Sequence, residues 1–309
     1  MMSENNAVEN RQQAKPRKKQ SQFIQVWKRF RRSPSGMIGL FIILVLILTA
    51  VFADVISPPV MDPFLREYVP AYRSQDWTNL FAYPSRDNFF GTDNFGRCIF
   101  DRIVHGARLS LYIGIFAISI SMIFGTIIGL AAGYYAGISD NLLMRFTDIM
   151  LAIPGILLAM TIVAALGGGL RNLVIAIGIS SIPVFARQVR SSVISIREQE
   201  FIEAAKASGA SDIRIMLKYI LPNCMAPIII RITMGMAVAI LSAAALSFIG
   251  LGIEPPLPEW GSMLSDGRAF IRDHAPSVIF PGMAIALVVF GFNLLGDGLR
   301  DALDPRLKQ

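Results

Sequence analysis

Long apolar blocks that carry almost no charge are the feature that most constrains how this chain can fold. The first block, Met37–Ala53, reads MIGLFIILVLILTAVFA. Its Leu, Ile, Val and Phe residues together favour membrane insertion by about 4 to 7 kcal/mol. Charged residues make up only 17% of the 309 residues, whereas soluble domains carry nearer a quarter. The sequence therefore predicts an all-α membrane protein.

Six transmembrane helices are predicted, at residues 37–56, 109–132, 142–166, 170–189, 226–251 and 277–296. The third contains Pro154, which is expected to kink it. The fourth is short and is interrupted by Ser180, Ser181 and Pro183. It is assigned because the basic N-terminus and the basic stretch 187–218 both belong on the cytoplasmic side, so an even number of spans separates them. Both termini are then predicted to be cytoplasmic.

The remaining segments are assigned from their polarity. Residues 1–36 form a predicted cytoplasmic tail with an amphipathic interfacial helix at 23–32, and residues 57–108 form an extracytoplasmic segment that ends in a second interfacial helix. A cytoplasmic loop is predicted at 190–222 and a cytoplasmic tail at 297–309. The net charge of +7 follows from this topology, and no nucleic-acid partner is predicted.

A glycine ladder lies in the second predicted span. Gly125, Gly129 and Gly133 repeat every four residues and share one helix face. Such ladders let two membrane helices approach closely, although glycine is also simply common in membrane helices. Both interpretations are open at this point.

A polar cassette, EAAKASGASDIRIMLKYILP at 203–222, separates the fourth and fifth predicted spans. Phe201–Ser208 is predicted to form a short helix that ends at Gly209, because glycine tolerates a left-handed backbone. Ser211 is expected to cap a second helix that Pro222 ends. One face of that helix is predicted to hold Ile213, Met216, Leu217 and Ile220. The cassette either docks into a partner's groove or lies alone at the membrane surface.

The cassette resembles the EAA motif of membrane subunits from binding-protein-dependent ABC importers. The matching positions are Glu203, Ala204, Ala205, Gly209, Leu221 and Pro222, while Tyr219 stands where the family usually has Ile. In that family the short helix docks into a cleft on a cytoplasmic ATPase and carries its motion into the membrane. The resemblance implies that this coupling helix packs through Phe201, Ala207, Ile213 and Leu217.

Further motifs are similar to those of the second permease subunit in peptide-type importers. They are FGTDNFGR (90–97), GARLSL (106–111), PEWGSML (258–264) and NLLGDGLRDALDPR (293–306), and Cys98 replaces the Asp usual after GR. The resemblance implies a type-1 ABC importer permease in the bacterial inner membrane. It also implies three kinds of partner: a second permease, two ATP-binding subunits and an extracytoplasmic solute-binding protein. Dipeptides or short peptides are the expected substrates, with glutathione or nickel as alternatives.

The sequence offers few residues from which a catalytic site could be formed. No phosphate-binding loop occurs in the sequence, so ATP and Mg are expected on the partner ATPases rather than here. The two histidines, His105 and His274, are predicted near external loops, and no metal site or catalytic residue is assigned. A stand-alone secondary carrier or channel is the alternative of another class. Such carriers typically keep an ionisable residue deep in the bundle, whereas Arg145, Asp148 and Arg231 lie near inner helix ends.

Two groups of residues are candidates for the translocation path. Ser119, Ser242 and Asn293 are predicted either to face the pore or to form hydrogen bonds between helices. Trp260, Met263 and Leu264 belong to an external stretch that, by the family resemblance, gates the pore or contacts the solute-binding protein; packing against the outer end of the bundle would also explain it.

Overall fold

The computed structural model describes residues 22–86 and 88–303, and these residues are mainly helical. The helices are α1 (Gln22–Phe30), α2 (Pro34–Val51), α3 (Ala53–Ile56), α4 (Ile99–Tyr135), α5 (Gly137–Leu151), α6 (Gly155–Leu166), α7 (Leu170–Arg197), α8 (Glu200–Ala207), α9 (Asp212–Arg214), α10 (Leu221–Asn223), α11 (Met225–Phe248), α12 (Trp260–Gly267) and α13 (Pro276–Leu303). A two-residue hairpin pairs β1 (Val60–Met61) with β2 (Tyr68–Val69) in antiparallel register. The predicted all-α class is confirmed.

Five of the described helices are long and apolar enough to cross a membrane: α2, α4, α7, α11 and α13. The third predicted span is broken rather than kinked. Helices α5 and α6 meet at an angle of 84°, and Pro154 occupies the N-cap position of α6. Proline cannot donate the backbone hydrogen bond that would continue α5, so the helix ends there. The bundle has six spans if this bent pair counts as one.

The centre of the bundle is the contact between α4 and α7. A Cβ atom on Gly129 would lie 2.5 Å from the Ala186 carbonyl oxygen, and one on Gly133 would lie 2.8 Å from the Val193 Cβ. Ser121 adds a hydrogen bond from its Oγ to the Gly178 carbonyl at 2.8 Å. The glycine ladder therefore serves close helix approach, which settles the alternative left open by the sequence.

A second close crossing joins α2 to α13. Gly39 faces the backbone of α13 near Leu295, and Gly36 faces Gly298. The ring of Phe30 is 3% exposed and packs against both Gly36 and Gly298. Helix α1 is therefore attached to the end of α13 by an aromatic side chain.

Residues 57–86 and 88–98 belong to a connecting segment that is held by buried charges. The Asp62 side chain accepts backbone hydrogen bonds from Phe64, Leu65 and Gln75 at 2.8–3.2 Å. Further along, Arg97 Nε donates to Asp93 Oδ2 at 2.7 Å, and Arg102 Nη1 lies 3.7 Å from the same oxygen. These side chains fold the segment over the start of α4.

Several predicted boundaries differ from the structure. The interfacial helix expected before the second span is not separate, because α4 is one helix of 37 residues. At 1.5 Å per residue it is about 55 Å long, well beyond the roughly 30 Å of hydrocarbon. Helix α7 continues through Pro183 to Arg197, so the first residues of the predicted 190–222 loop are helical. Helix α13 extends to Leu303, into the predicted tail, and residues 304–309 lie outside the described part.

Candidate functional site

The cassette, together with its flanking residues from 198 to 224, lies at one end of the bundle, which we name the cassette end. Its first arm is α8, Glu200–Ala207, close to the predicted Phe201–Ser208. The chain then turns at Gly209, where φ is +77° and a Cβ atom would meet nothing within 4 Å. The turn therefore requires glycine for its backbone conformation and not for space.

The second arm is wider than an α-helix. It runs through α9, a π-helical turn at Ile215–Ile220, and α10. In a π-helix the hydrogen bonds join residues five apart, and Leu221 N–H indeed bonds the Met216 carbonyl. Pro222 is accommodated inside α10, and the chain turns only at Cys224. The prediction that Pro222 ends the helix is therefore wrong by two residues.

The predicted apolar face of the second arm is divided by this π-helical turn. Ile215 and Ile220 are fully buried, whereas Ile213 is 65% exposed and Leu217 is 56% exposed. The sequence analysis assumed α-helical spacing and so assigned Ile213 and Leu217 to the same face as Ile220. Ser211 occupies the predicted N-cap position, but its side chain makes no capping hydrogen bond.

The first arm presents one face to the bundle and one to the outside. Ile202 and Ala205 are buried. The exposed residues of this arm are Glu200, Phe201, Glu203, Ala204, Lys206 and Ala207. A cleft of about 330 Å³ opens between the two arms, lined by Phe201, Ala204, Ala205, Ser208, Ala210, Arg214 and Tyr219. Within this chain, the four residues assigned to coupling-helix packing (Phe201, Ala207, Ile213 and Leu217) are exposed.

Tyr134, in the last turn of α4, holds the cassette to the bundle. Its hydroxyl donates to Asp212 Oδ1 at 2.7 Å, and the Lys206 ammonium lies 5.5 Å from its ring centroid. Arg197 Nη1 also donates to the Gly133 carbonyl at 3.1 Å. Both arms of the cassette and the end of α7 therefore contact one end of α4.

Two ion pairs connect the helices at this same end. Arg190 on α7 forms two hydrogen bonds with Asp140 on α5, at 2.5 and 2.6 Å. Asp148 on α5 pairs with Arg187 on α7 at 2.7 Å. The structure shows that its partner comes from a neighbouring helix.

The sequence analysis missed Tyr134, Asp140, Arg190 and Arg197 as site residues. A phenol at the end of an apolar helix is a usable signal, because a half-buried tyrosine hydroxyl needs a hydrogen-bond partner. Its partner, Asp212, is distant in sequence and follows only from the tertiary structure. Leu221 is half-buried and Pro222 is exposed, next to the cassette's return to the bundle.

The candidate path residues are not brought together. Ser119 Oγ donates to the Ile115 carbonyl of its own helix at 2.7 Å. Ser242 is half-buried on α11, and Asn293 is exposed on α13. Ser121, a neighbouring serine on α4, does form a hydrogen bond between helices, from its Oγ to the Gly178 carbonyl of α7.

The three candidate gate residues also lie in different environments. Trp260 is 2% exposed and donates from Nε1 to the Ile103 carbonyl at 3.1 Å. Met263 is buried as well. Leu264 alone of the three lines a cavity, one of about 490 Å³ that also includes Leu241 and Phe248.

Neither histidine lies in a catalytic arrangement. His105 Nε2 is 3.1 Å from the Ser57 carbonyl, and His274 Nδ1 is 2.7 Å from Ser277 Oγ. Across residues 22–86 and 88–303, no group of three His, Cys, Asp or Glu side chains is placed to hold a metal ion.

Comparisons with known proteins show which class this architecture represents. The family described as the binding-protein-dependent transport system inner membrane component matches residues 125–309. The chain belongs to this family. It is therefore a multi-pass permease subunit of an ABC importer in the inner membrane, and it is a transport component rather than an enzyme.

The relatives narrow the class to the peptide-type branch. The N-terminal transmembrane domain of oligopeptide transport permease C matches residues 21–81. The dipeptide transport system permease protein DppC of Alkalihalophilus pseudofirmus is 51% identical, over 92% of this chain and 90% of the relative. The glutathione transport system permease protein GsiD of Escherichia coli is 45% identical, over 95% of this chain and 94% of the relative.

Solved structures share the fold at low sequence identity. An inward-facing structure of the MetNI methionine ABC transporter aligns with a TM-score of 0.55 and 18% identity. The alignment covers 66% of this chain and 97% of the solved chain. An amino acid ABC transporter structure gives a TM-score of 0.51 at 16% identity. The fold is that of type-1 ABC importer permeases.

Proposed function

We propose that this chain forms half of a translocation pore and that its cassette docks on a separate ATPase. The complex would contain a second homologous permease, two ATP-binding subunits that bind ATP and Mg, and an extracytoplasmic solute-binding protein. Both termini and the cassette would lie in the cytoplasm. ATP-driven closure of the ATPase pair would move the cassette and open the pore to the outside, and hydrolysis would return it.

The observation that carries this proposal is the cassette's division into two faces. Ile202 and Ile215 are fully buried against the bundle, while the Glu203–Ala204 side is exposed. Small side chains on that side allow a partner's groove to approach closely, and Glu203 offers a charge that fixes the register. Tyr134 contacts both arms, through its bond to Asp212 on α9 and through Lys206 of α8 above its ring, and Arg197 joins α7 to the same end of α4. A push on the cassette would therefore reach α4 and α7.

A dipeptide or short peptide is the proposed substrate, because the DppC relative is 51% identical over most of both chains. Glutathione is the second candidate, since the GsiD relative is similar over an equal share of the chain. In a deletion strain carrying this importer, uptake of labelled dipeptide should exceed that of glutathione and nickel. Preferential uptake of glutathione would replace the dipeptide proposal and leave the coupling proposal intact.

Cysteine crosslinking tests the docking. A thiol introduced by Ala207→Cys should crosslink to the ATPase subunit in the assembled complex. A thiol introduced by Ile138→Cys is the control, because Ile138 is 87% exposed but lies outside the cassette.

The native thiols do not compete in this experiment. Burial raises the pKa of Cys98 to about 12 and that of Cys224 to about 11, so both stay protonated and unreactive near neutral pH. Absence of the Ala207→Cys crosslink in a complex that still transports would refute docking at this face. Labelling of Ala207→Cys from outside intact cells would refute the proposed orientation.

A further inference from the structure

A second feature of the cassette end is a small cavity between α7, α11 and α13. Its volume is about 280 Å³, and it is lined by Gln188, Pro227, Ile230, Arg231, Met234 and Arg300. This volume is near the lower limit of small-molecule sites. It accommodates a charged group at the end of a molecule better than a whole peptide.

The charge lining this cavity is entirely positive. Arg231 and Arg300 come from different helices, and Gln188 adds a neutral amide from a third. Within residues 22–86 and 88–303, neither arginine forms a salt bridge; the ion pairs at this end use Arg187 and Arg190 instead. Two guanidinium groups beside one cavity favour an anion.

Arg231 lacks a hydrogen-bond acceptor inside the described part of the protein. Its Nε atom is buried and donates to no acceptor there. Arg231 as a whole is half-buried, but a buried N–H donor normally has an acceptor, because an unpaired donor loses its hydration without compensation. An oxyanion in the cavity would supply the missing acceptor, and planar guanidinium groups suit carboxylate and phosphate oxygens.

The two cavities lie towards opposite ends of α11. Arg231 and Met234 line the smaller one at the cassette end, and Leu241 and Phe248 line the 490 Å³ cavity at the other end of the helix. Met234 packs against Gly296 of α13, whereas Leu241 is 51% exposed. The arginine cavity is therefore separate from the outer cavity.

We propose that Arg231 and Arg300, assisted by Gln188, form a binding site for one carboxylate or phosphate group. Two sources carry this chemistry: the free carboxylate of a transported peptide, and the phosphate of an anionic phospholipid. The first source rests on the proposed transport function, whereas the site itself does not. Guanidinium forks would bind either group through paired N–H donors.

A cysteine reporter in the cavity tests the site in the complete complex. Ile230→Cys would be introduced, and its rate of maleimide labelling measured in phosphatidylcholine nanodiscs with and without inorganic phosphate. Phosphate should slow the labelling. Arg231→Gln and Arg300→Gln should each weaken this protection about tenfold, the factor expected when a charged hydrogen-bond donor is lost. Arg171→Gln, which removes a charge from the opposite end of α7, should leave the protection unchanged.

Two further arms distinguish the sources. If dialanine protects the thiol from labelling and dialanine amide does not, the bound group is a peptide carboxylate. Protection in phosphatidylglycerol nanodiscs without any additive would identify a lipid phosphate. Failure of phosphate, dialanine and phosphatidylglycerol to protect would overturn the site, and so would equal protection in the Arg231→Gln, Arg300→Gln double variant. The labelling requires neither crosslinking to the ATPase nor uptake, so its failure is separable from failure of the proposed function.

Discussion

The hydroxyl of Tyr134 donates to Asp212 Oδ1 at 2.7 Å, across 78 positions of the chain. Tyr134 ends a membrane helix and Asp212 begins the second arm of the cassette, so this bond joins the two parts that must move together if the cassette transmits force. The Lys206 ammonium above the same ring extends the contact to the first arm.

Tyr134→Phe should uncouple the cassette from the bundle while it leaves the ring in place. We expect the contact between the cassette and the bundle to lose about 1 to 2 kcal/mol of stabilisation. This is the magnitude for a hydrogen bond to a charged group when one partner, here Asp212, is exposed. Dipeptide uptake should fall more than basal ATP hydrolysis. Tyr135→Phe is the matched control, because Tyr135 is 51% exposed. Equal effects of the two variants would contradict a transmitting role for Tyr134.

Gly209→Val should disrupt the turn between the two arms. A β-branched residue at φ +77° is strained by about 1 to 3 kcal/mol. Gly209→Asn should be much milder, because Asn tolerates the left-handed region. Crosslinking from Ala207→Cys and stimulated ATP hydrolysis measure the outcome. Indistinguishable results for Val and Asn would show that the conformation of this turn is irrelevant to docking.

Asp93→Asn should destabilise the connecting segment more than Asp266→Asn. Asp93 accepts hydrogen bonds from the Phe95 and Arg97 backbone and from Arg97 Nε. Its replacement leaves buried Arg102 without this carboxylate and Arg97 with the longer bond to Asp266, a cost of about 3 to 5 kcal/mol. Asp266 is 30% exposed and accepts one bond of 3.3 Å from Arg97. The melting temperature of the purified complex should therefore be lower for Asp93→Asn than for Asp266→Asn. The reverse order would contradict this account.

Glu259 makes stability depend on pH. Its carboxylate caps α12 by accepting from Gly261 and Ser262 N–H at 2.9 and 2.8 Å, and burial raises its pKa above the ordinary 4.5, with these bonds opposing the shift. The folded state therefore binds the proton more tightly than the unfolded state, so wild-type stability should fall as pH rises from 4.5 through the folded pKa.

Glu259→Gln cannot titrate and is the matched comparison. As the pH rises, the melting temperature of the wild type should fall relative to that of Glu259→Gln. Above the folded pKa of Glu259 the difference between the two should become constant. A difference that grows in favour of the wild type would show that the capping bonds outweigh burial.

Gly129→Val should separate α4 from α7. Its Cβ would meet the Ala186 carbonyl oxygen at 2.5 Å and the Val189 Cβ at 2.8 Å, and overpacking of this kind costs about 1 to 3 kcal/mol or more. Gly155→Ala is the control, because nothing lies within 4 Å of its Cβ position. Protein yield in the membrane and melting temperature measure the effect. Tolerance of Val at Gly129 would contradict the close helix contact.

The sequence alone predicted the membrane class, the glycine at the cassette's turn and a bend at Pro154, although it predicted a kink where the structure has a break of 84°. Each of these depends on local chemistry. Apolar run length, proline's missing donor and glycine's access to positive φ are properties of a residue and its neighbours. The resemblance to ABC importer permeases also rested on short motifs, and the comparisons confirmed it.

Other features depended on contacts that no local pattern contains. Because of the π-helical turn at Ile215–Ile220, Ile213 and Leu217 are exposed while Ile220 is buried, although α-helical spacing predicts one shared face. The wider turn has no clear signal in a short sequence. Asp148 pairs with Arg187 on another helix, a contact between residues 39 positions apart. Trp260, read as a gate candidate, is 2% exposed and packs on Gly106 of α4.

The amino-acid sequence thus determined which segments enter the membrane and where the chain bends, because burial of apolar side chains and backbone hydrogen bonding act along the chain. Only the tertiary structure decided that Tyr134 holds the cassette and that Arg231 and Arg300 share a cavity. Those outcomes depend on how helices far apart in sequence are oriented against one another, and that orientation is set by packing over the whole bundle.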